Sequence, residues 1–96
     1  MAYAIHITKN EDWSDRPRNP VTQQEWEEIN NSGLAKPINK WDSMVDNFII
    51  TRTDYDIQTV GPDPRLNIPD MEWISKLKPI AKLLGAKIQG DDGEVY

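Results

Sequence analysis

The alternation of apolar and polar positions predicts a strand near the N-terminus and a β-hairpin in the middle of the chain. Tyr3, Ile5 and Ile7 occupy alternate positions, which is the period-2 pattern of a strand with one buried face. Residues 47–53 and 57–60 are rich in β-branched side chains, and residues 54–56 form a short connection between them. The pattern therefore predicts strand one followed later by two paired strands.

A helix of about three turns is predicted after residue 22. Thr22 and Glu25 have the spacing of a capping box, in which the threonine hydroxyl accepts from the Glu25 amide and the glutamate returns to the Thr22 amide. Val21 and Trp26 occupy the positions of a hydrophobic staple. The run Asn-Asn-Ser-Gly at 30–33 supplies the stop signal.

A second helix with a buried stripe is predicted towards the C-terminus. Asp70 is its expected N-cap, Pro79 predicts a kink or a division, and Gly85 suits the left-handed C-terminal position. Residues 86–89 and 94–96, joined by an Asp-Gly turn, are expected to form a returning strand and a last short strand. The predicted stripe consists of Ile74, Leu77, Ile80, Ala81 and Leu84.

The order of these elements predicts an α+β fold in a single domain, residues 1–96. Two helices are expected to pack on one face of a small, mostly antiparallel sheet. Residues 34–46 have no clear period and are predicted to form a loop. Trp26 and Trp73 are expected in the core, Trp13 is expected to fold back on it, and Trp41 is expected to be exposed.

Composition narrows the function classes. The chain has 96 residues, a net charge of −5 and no cysteine, so we expect neither a disulfide framework nor a thiolate zinc site. The acidic balance disfavours nucleic acid and anionic lipid as partners. No secretory signal and no run that could span a bilayer is visible, so the sequence predicts a cytoplasmic protein. A cationic protein partner fits this charge, although acidity also serves solubility alone.

Candidate catalytic chemistry is sparse. His6 is the single histidine, has no evident carboxylate partner in the sequence, and is expected to be an ordinary surface or half-buried residue. Asp54 and Asp56 fit a solvated strand end better than a catalytic pair. The acidic residues at 91–94 lack the ligand alternation of a calcium loop, and no glycine-rich phosphate loop is present. We therefore expect no enzyme activity, no metal and no cofactor.

Three segments of the chain together carry a resemblance to a known family. These are Tyr-Ala-Ile-His-Ile at 3–7, Val-Thr-Gln-Gln-Glu-Trp at 21–26, and residues 76–96, ending in Gly-Asp-Asp-Gly-Glu-Val-Tyr. They resemble small bacterial immunity-type proteins associated with polymorphic toxins. The terminal motif is the most specific of them, whereas Pro79 and residues 34–66 depart from the resemblance. The resemblance implies an inhibitor that binds one cognate toxin domain and blocks the toxin's active site or the access of its substrate.

Partner-binding residues are predicted from charge and expected exposure, with the toxin's binding surface expected to be a basic cleft. An exposed tryptophan in a polar loop is a typical anchor of protein contacts. The alternative function is a different interaction module, such as an adaptor or a small regulatory subunit. The predicted residues are Glu27, Glu28, Trp41, Asp54, Asp56, Asp91, Asp92 and Glu94.

Overall fold

The computed structural model describes residues 4–15, 19–59 and 71–96. Its two helices and one six-stranded antiparallel sheet form an α+β fold, as predicted. The sheet order is β2-β3-β4-β5-β1-β6. The elements are β1 (Ile5–Thr8), α1 (Gln23–Asn31), β2 (Lys36–Pro37), β3 (Asp42–Val45), β4 (Phe48–Arg52), β5 (Ile57–Thr59), α2 (Met71–Leu84) and β6 (Lys87–Gly90).

Helix α1 begins and ends where its local signals predict. The Thr22 Oγ1 accepts from the Glu25 amide at 3.1 Å, and the Thr22 amide donates to the Glu25 Oε1 at 3.0 Å. This capping box satisfies amides that the first helical turn leaves without a partner. Ser32 is the C-cap, and Gly33 follows with a φ of 84°. The capping box and the stop signal are therefore confirmed.

Helix α2 buries the predicted stripe and also buries Trp73. It continues through Pro79 as one helix, so the predicted division does not occur. Gly85 ends the helix with a φ of 63°, a conformation that costs glycine little because it has no Cβ. The predictions that fall on Tyr3, Val60 and Asp70 lie outside the described residues.

The prediction of a loop over residues 34–46 is wrong, because this segment contributes β2 and β3 to the sheet. Val45 pairs with Phe48 across a two-residue turn, and Ser43 pairs with Ile50. A polar residue at a core position hides the strand pattern from the sequence. The buried Ser43 hydroxyl is satisfied because it donates to the Asn30 Oδ1 at 2.6 Å.

The two faces of the sheet have different compositions. Ile5, Ile7 and Ile88 lie on the face that α2 covers, and α1 contacts α2. These residues belong to the hydrophobic core, together with Trp26 and Trp73. Any polar site of the sheet is therefore expected on the opposite face, where one row of cross-strand neighbours is entirely polar. This row consists of Asp42, Thr51, Gln58, His6 and Gln89.

Neither described helix combines the length and the apolar character needed to cross a membrane.

Candidate functional site

A buried histidine lies between two aspartates on the polar face of the sheet. His6, which is 2% exposed, has its Nδ1 2.9 Å from the Asp56 Oδ2 and its Nε2 2.8 Å from the Asp91 Oδ1. β1 lies between β5 and β6, so the residue before β5 and the residue after β6 reach His6 from opposite sides. We call Asp56, His6 and Asp91 the histidine cluster.

The histidine cluster favours a protonated imidazole. An ionised carboxylate only accepts hydrogen bonds, so both ring nitrogens can donate to these neighbours only when His6 carries its second proton. Burial by itself lowers the pKa of His6, but the hydrogen bonds and charges of Asp56 and Asp91 outweigh burial and raise the pKa above its ordinary value of 6.5. Below that raised pKa, His6 is a cation whose two ring nitrogens both donate to carboxylate oxygens.

Trp13 covers the histidine cluster from outside the sheet. Its ring stacks on the His6 ring with a centroid distance of 4.0 Å and an interplanar angle of 3°. The Trp13 amide donates to the Gln89 Oε1 at 2.6 Å, and the Gln89 Nε2 donates to the Gly93 carbonyl at 3.0 Å. Trp13 folds back on the sheet, but on the face opposite the hydrophobic core, so its predicted place is wrong.

Both ring nitrogens of His6 are occupied within the histidine cluster. A general base needs a ring nitrogen that can reach a substrate, and both nitrogens of His6 already face carboxylates. The expectation of an ordinary surface or half-buried histidine without carboxylate partners is wrong. The predicted exposure of Asp56 is also wrong, because this residue is completely buried. In this structure Asp56 therefore supports the fold and cannot contact a partner directly.

The histidine cluster predicts a decline in stability above neutral pH. A raised folded-state pKa means that the stabilisation from His6 is fully present below pH 6.5 and is lost as the pH rises through the folded-state pKa. We expect urea unfolding between about pH 6 and pH 9 to show this loss, with no such loss for the His6→Gln variant. A free energy of unfolding that stays constant or increases across this range would contradict the assignment.

Two acidic turns meet beside the histidine cluster. Asp91 accepts from the Ala4 amide at 2.9 Å, and the Gln89 Nε2 donates to the Asp12 Oδ2 at 3.3 Å. Gln89 thereby joins the turn at 91–94 to the turn at 11–15. We call the carboxylate-bearing residues of both turns the acidic end: Glu11, Asp12, Asp15, Asp91, Asp92 and Glu94.

The acidic end is a concentrated negative surface. All its residues except Asp12 are exposed, and the side chain of Asp12 is held by hydrogen bonds from Ser14 that lower the pKa of this carboxyl. Lys87 reaches this surface through a hydrogen bond from its Nζ to the Glu11 carbonyl oxygen at 2.6 Å. Among the described residues, no group of three or more acidic or histidine side chains is arranged to hold a metal ion.

The remaining predicted residues lie elsewhere on the surface. Glu27 and Glu28 are exposed on α1, and Trp41 is 46% exposed, as expected. Trp41 and Asp54 share a shallow depression at the ends of β3 and β4, together with Tyr55. The structure thus brings Trp41 and Asp54 together, and it separately brings Asp91, Asp92 and Glu94 together. Glu27 lies apart from both groups and lines a cavity beside α1.

Sequence reasoning missed half of the acidic end and one aromatic residue. Glu11, Asp12 and Asp15 follow directly after the first strand, and that cluster of charges was the available signal. Tyr55 is 46% exposed and stands between Asp54 and Asp56, two predicted partner-binding residues. Nothing in the sequence indicates that the two acidic turns meet, because their contact depends on the pairing of β1 with β6.

Comparisons with protein-family models, with curated proteins and with solved structures found no match for this chain.

Proposed function

We propose that this protein is an immunity-type inhibitor that acts in the cytoplasm. It binds one cognate toxin domain and covers the toxin's active site or the access of its substrate. The proposal rests on the terminal motif at 90–96 and on one structural observation, the acidic end. Gly-Asp-Asp-Gly-Glu, the most specific part of the resemblance, lies in the turn that carries half of this surface.

The acidic end suits a partner with a basic cleft. Toxin domains that act on nucleic acids or nucleotides need positive charge at the substrate site, and a dense carboxylate surface is complementary to it. Such complementarity accelerates the encounter of the two proteins. The carboxylates also repel the toxin's anionic substrate, which competes for the same cleft. The histidine cluster supports this role because Asp91 anchors the turn to the buried His6, which reduces the conformational freedom that binding would otherwise remove.

The second candidate is an interaction module with a partner other than a toxin. Its support is the depression with Trp41 and Tyr55, whose exposed aromatic rings are typical of contact anchors and require no basic partner. The Arg52 guanidinium lies 5.0 Å from the centre of the Trp41 ring. Arginine, like tryptophan and tyrosine, is enriched in the hot spots of protein contacts. The identity of the bound partner separates the two candidates.

Co-expression tests the proposed function directly. The toxic C-terminal domain of the protein encoded by the adjacent gene is expressed with and without this chain, and growth and co-purification are measured. Rescue of growth together with a stable complex supports immunity. Toxicity without rescue contradicts it, and tight capture of a defined non-toxin partner supports the second candidate.

Charge reversal on the acidic end is expected to slow complex formation. The double variant Glu11→Lys and Asp92→Lys should reduce the association rate constant by about tenfold or more at low salt, with less effect at high salt, because electrostatic steering is screened by ions. Both residues are exposed and outside the histidine cluster. Stopped-flow or surface-binding kinetics measure the rate.

The matched comparison is Glu11→Lys alone against Glu72→Lys, because both make the same charge change and Glu72 is exposed on α2 and belongs to neither turn. We expect a clearly smaller effect from Glu72→Lys. An equal reduction for these two single variants would show that net charge, and not the acidic end, determines the rate.

A further inference from the structure

A cavity between α1, β2 and the end of β4 has two cationic side chains in its wall. The cavity has a volume of about 270 Å³, and Trp26, Pro37, Lys40 and Arg52 form part of its wall. Trp26 and Pro37 supply apolar surface, whereas Lys40 and Arg52 supply positive charge. The cavity is large enough for one side chain of a partner.

Arg52 lines this cavity and carries a donor that no acceptor satisfies. Its Nε is buried, and within the part of the chain that the structure describes this nitrogen has no hydrogen-bond partner. A buried donor without an acceptor costs free energy, and a ligand that draws the guanidinium towards the cavity removes that cost by supplying an acceptor. Among the described residues, neither Arg52 nor Lys40 forms an ion pair, although the chain as a whole is acidic.

Trp41 holds the two cations in place. The Arg52 guanidinium carbon lies 5.0 Å and the Lys40 Nζ 5.4 Å from the centre of the Trp41 ring. The Arg52 amide also donates to the Trp41 carbonyl at 2.8 Å. These contacts restrict a long side chain before any ligand arrives, so less conformational entropy is lost on binding.

We propose that this cavity binds the carboxylate of a glutamate or aspartate side chain from the protein partner. The carboxylate is bound by the Arg52 guanidinium, with Lys40 as the second cation, and the aliphatic stem packs on Trp26 and Pro37. A guanidinium matches a carboxylate through two parallel hydrogen bonds. The inference rests on the proposed function only in naming the source of the side chain.

A singly charged carboxylate fits better than a phosphate group or a nucleic acid. The Glu27 carboxylate also lines the cavity, and it repels a dianion more strongly than a monoanion. The net charge of −5 further opposes a polyanion. The site is thus a small positive element within an acidic protein, which gives it a role in fixing the orientation of a partner.

An NMR titration tests the cavity without the toxin. The probe is the α-amide of N-acetyl-glutamic acid, which has one carboxylate, and the matched control is the neutral α-amide of N-acetyl-glutamine. The signal is the Arg52 Nε–H cross-peak, assigned through its loss in Arg52→Lys. We expect a saturable shift with a millimolar dissociation constant for the acid and none for the neutral probe.

Variants localise the response. In Arg52→Gln, backbone amides of the cavity wall should lose the probe-dependent shifts, and Lys40→Gln should weaken binding by about threefold. Lys36→Gln removes an exposed cation of β2 that does not line this cavity, and it should leave the titration unchanged. An absent or non-saturating shift of the Arg52 signal would overturn the proposal, as would equal binding of both probes.

The same variants then test the source of the carboxylate. Arg52→Gln should weaken the complex with the toxin domain by about tenfold or more, because a carboxylate that has lost its partner stays buried. Unchanged affinity would overturn the assignment to the protein partner. If no toxin complex exists, the proposed function fails, while the NMR titration still decides whether the cavity binds a carboxylate.

Discussion

Replacing Asp56 with alanine should lower the free energy of unfolding by about 3–5 kcal/mol near pH 6, because it leaves a buried imidazolium without its fully buried counterion. Asp56 is 0% exposed, and its Oδ2 lies 2.9 Å from the His6 Nδ1. The Thr53 hydroxyl also loses one of its acceptors. The loss should be smaller near pH 8, where His6 can avoid the cost by releasing its proton.

Urea unfolding at both pH values measures this effect. Asp54→Ala is the matched control, since it removes an exposed aspartate from the same turn and should change stability by less than about 0.5 kcal/mol. Asp91→Ala should fall between the two, because the Asp91 side chain is 39% exposed and water can replace part of its role. Equal stability of the Asp56→Ala and Asp54→Ala variants would show that the histidine cluster contributes little.

Replacing Leu77 with alanine should lower the free energy of unfolding by about 2–5 kcal/mol. Leu77 is completely buried in the stripe of α2, so the shorter side chain loses apolar contact and leaves a cavity in the core. The spread of the estimate reflects how far neighbouring side chains can move into that space. Chemical denaturation measures this loss. The midpoint should fall, while the slope of the free energy of unfolding against denaturant concentration should stay unchanged.

Leu83→Ala is the control in the same helix. It makes the same chemical change and the same small change in helix propensity, but Leu83 is 43% exposed. We expect a loss of less than about 1 kcal/mol. A similar loss for both variants would mean that α2 is stabilised by its own helical propensity rather than by packing against the sheet.

Elements with short-range signals were predictable from the sequence. The capping box of α1 involves residues three positions apart, and the stripe of α2 follows the helical repeat, so neither depends on distant parts of the chain. β3 was missed for the opposite reason. Ser43 becomes a core residue only because Ile50 lies beside it and the Asn30 Oδ1 accepts a hydrogen bond from its hydroxyl, and both neighbours come from other elements.

The candidate site likewise combines one part with a local sequence signal and one part that depends on distant residues. The turn at 91–94 was predicted from its own residues, and the structure confirms the turn. The predicted last short strand at 94–96 is wrong, because only one isolated bridge, between Val95 and Gln89, forms there. The alternation of Ile5 and Ile7 predicts that His6 lies on the opposite face of β1, but the histidine cluster itself was not predictable, because it requires β5 and β6 to flank β1. That strand order is set by the packing of the whole core, which no local pattern contains.

The position of β1 in the sheet also determines when the acidic end can exist. β3, β4 and β5 are neighbours both in the chain and in the sheet, so their pairing closes only short loops. His6 and Asp91, in contrast, are separated by 85 positions, and closing so long a loop is entropically expensive and slow. A chain that has formed only β3 to β5 therefore carries every carboxylate of the acidic end without the surface that they make together.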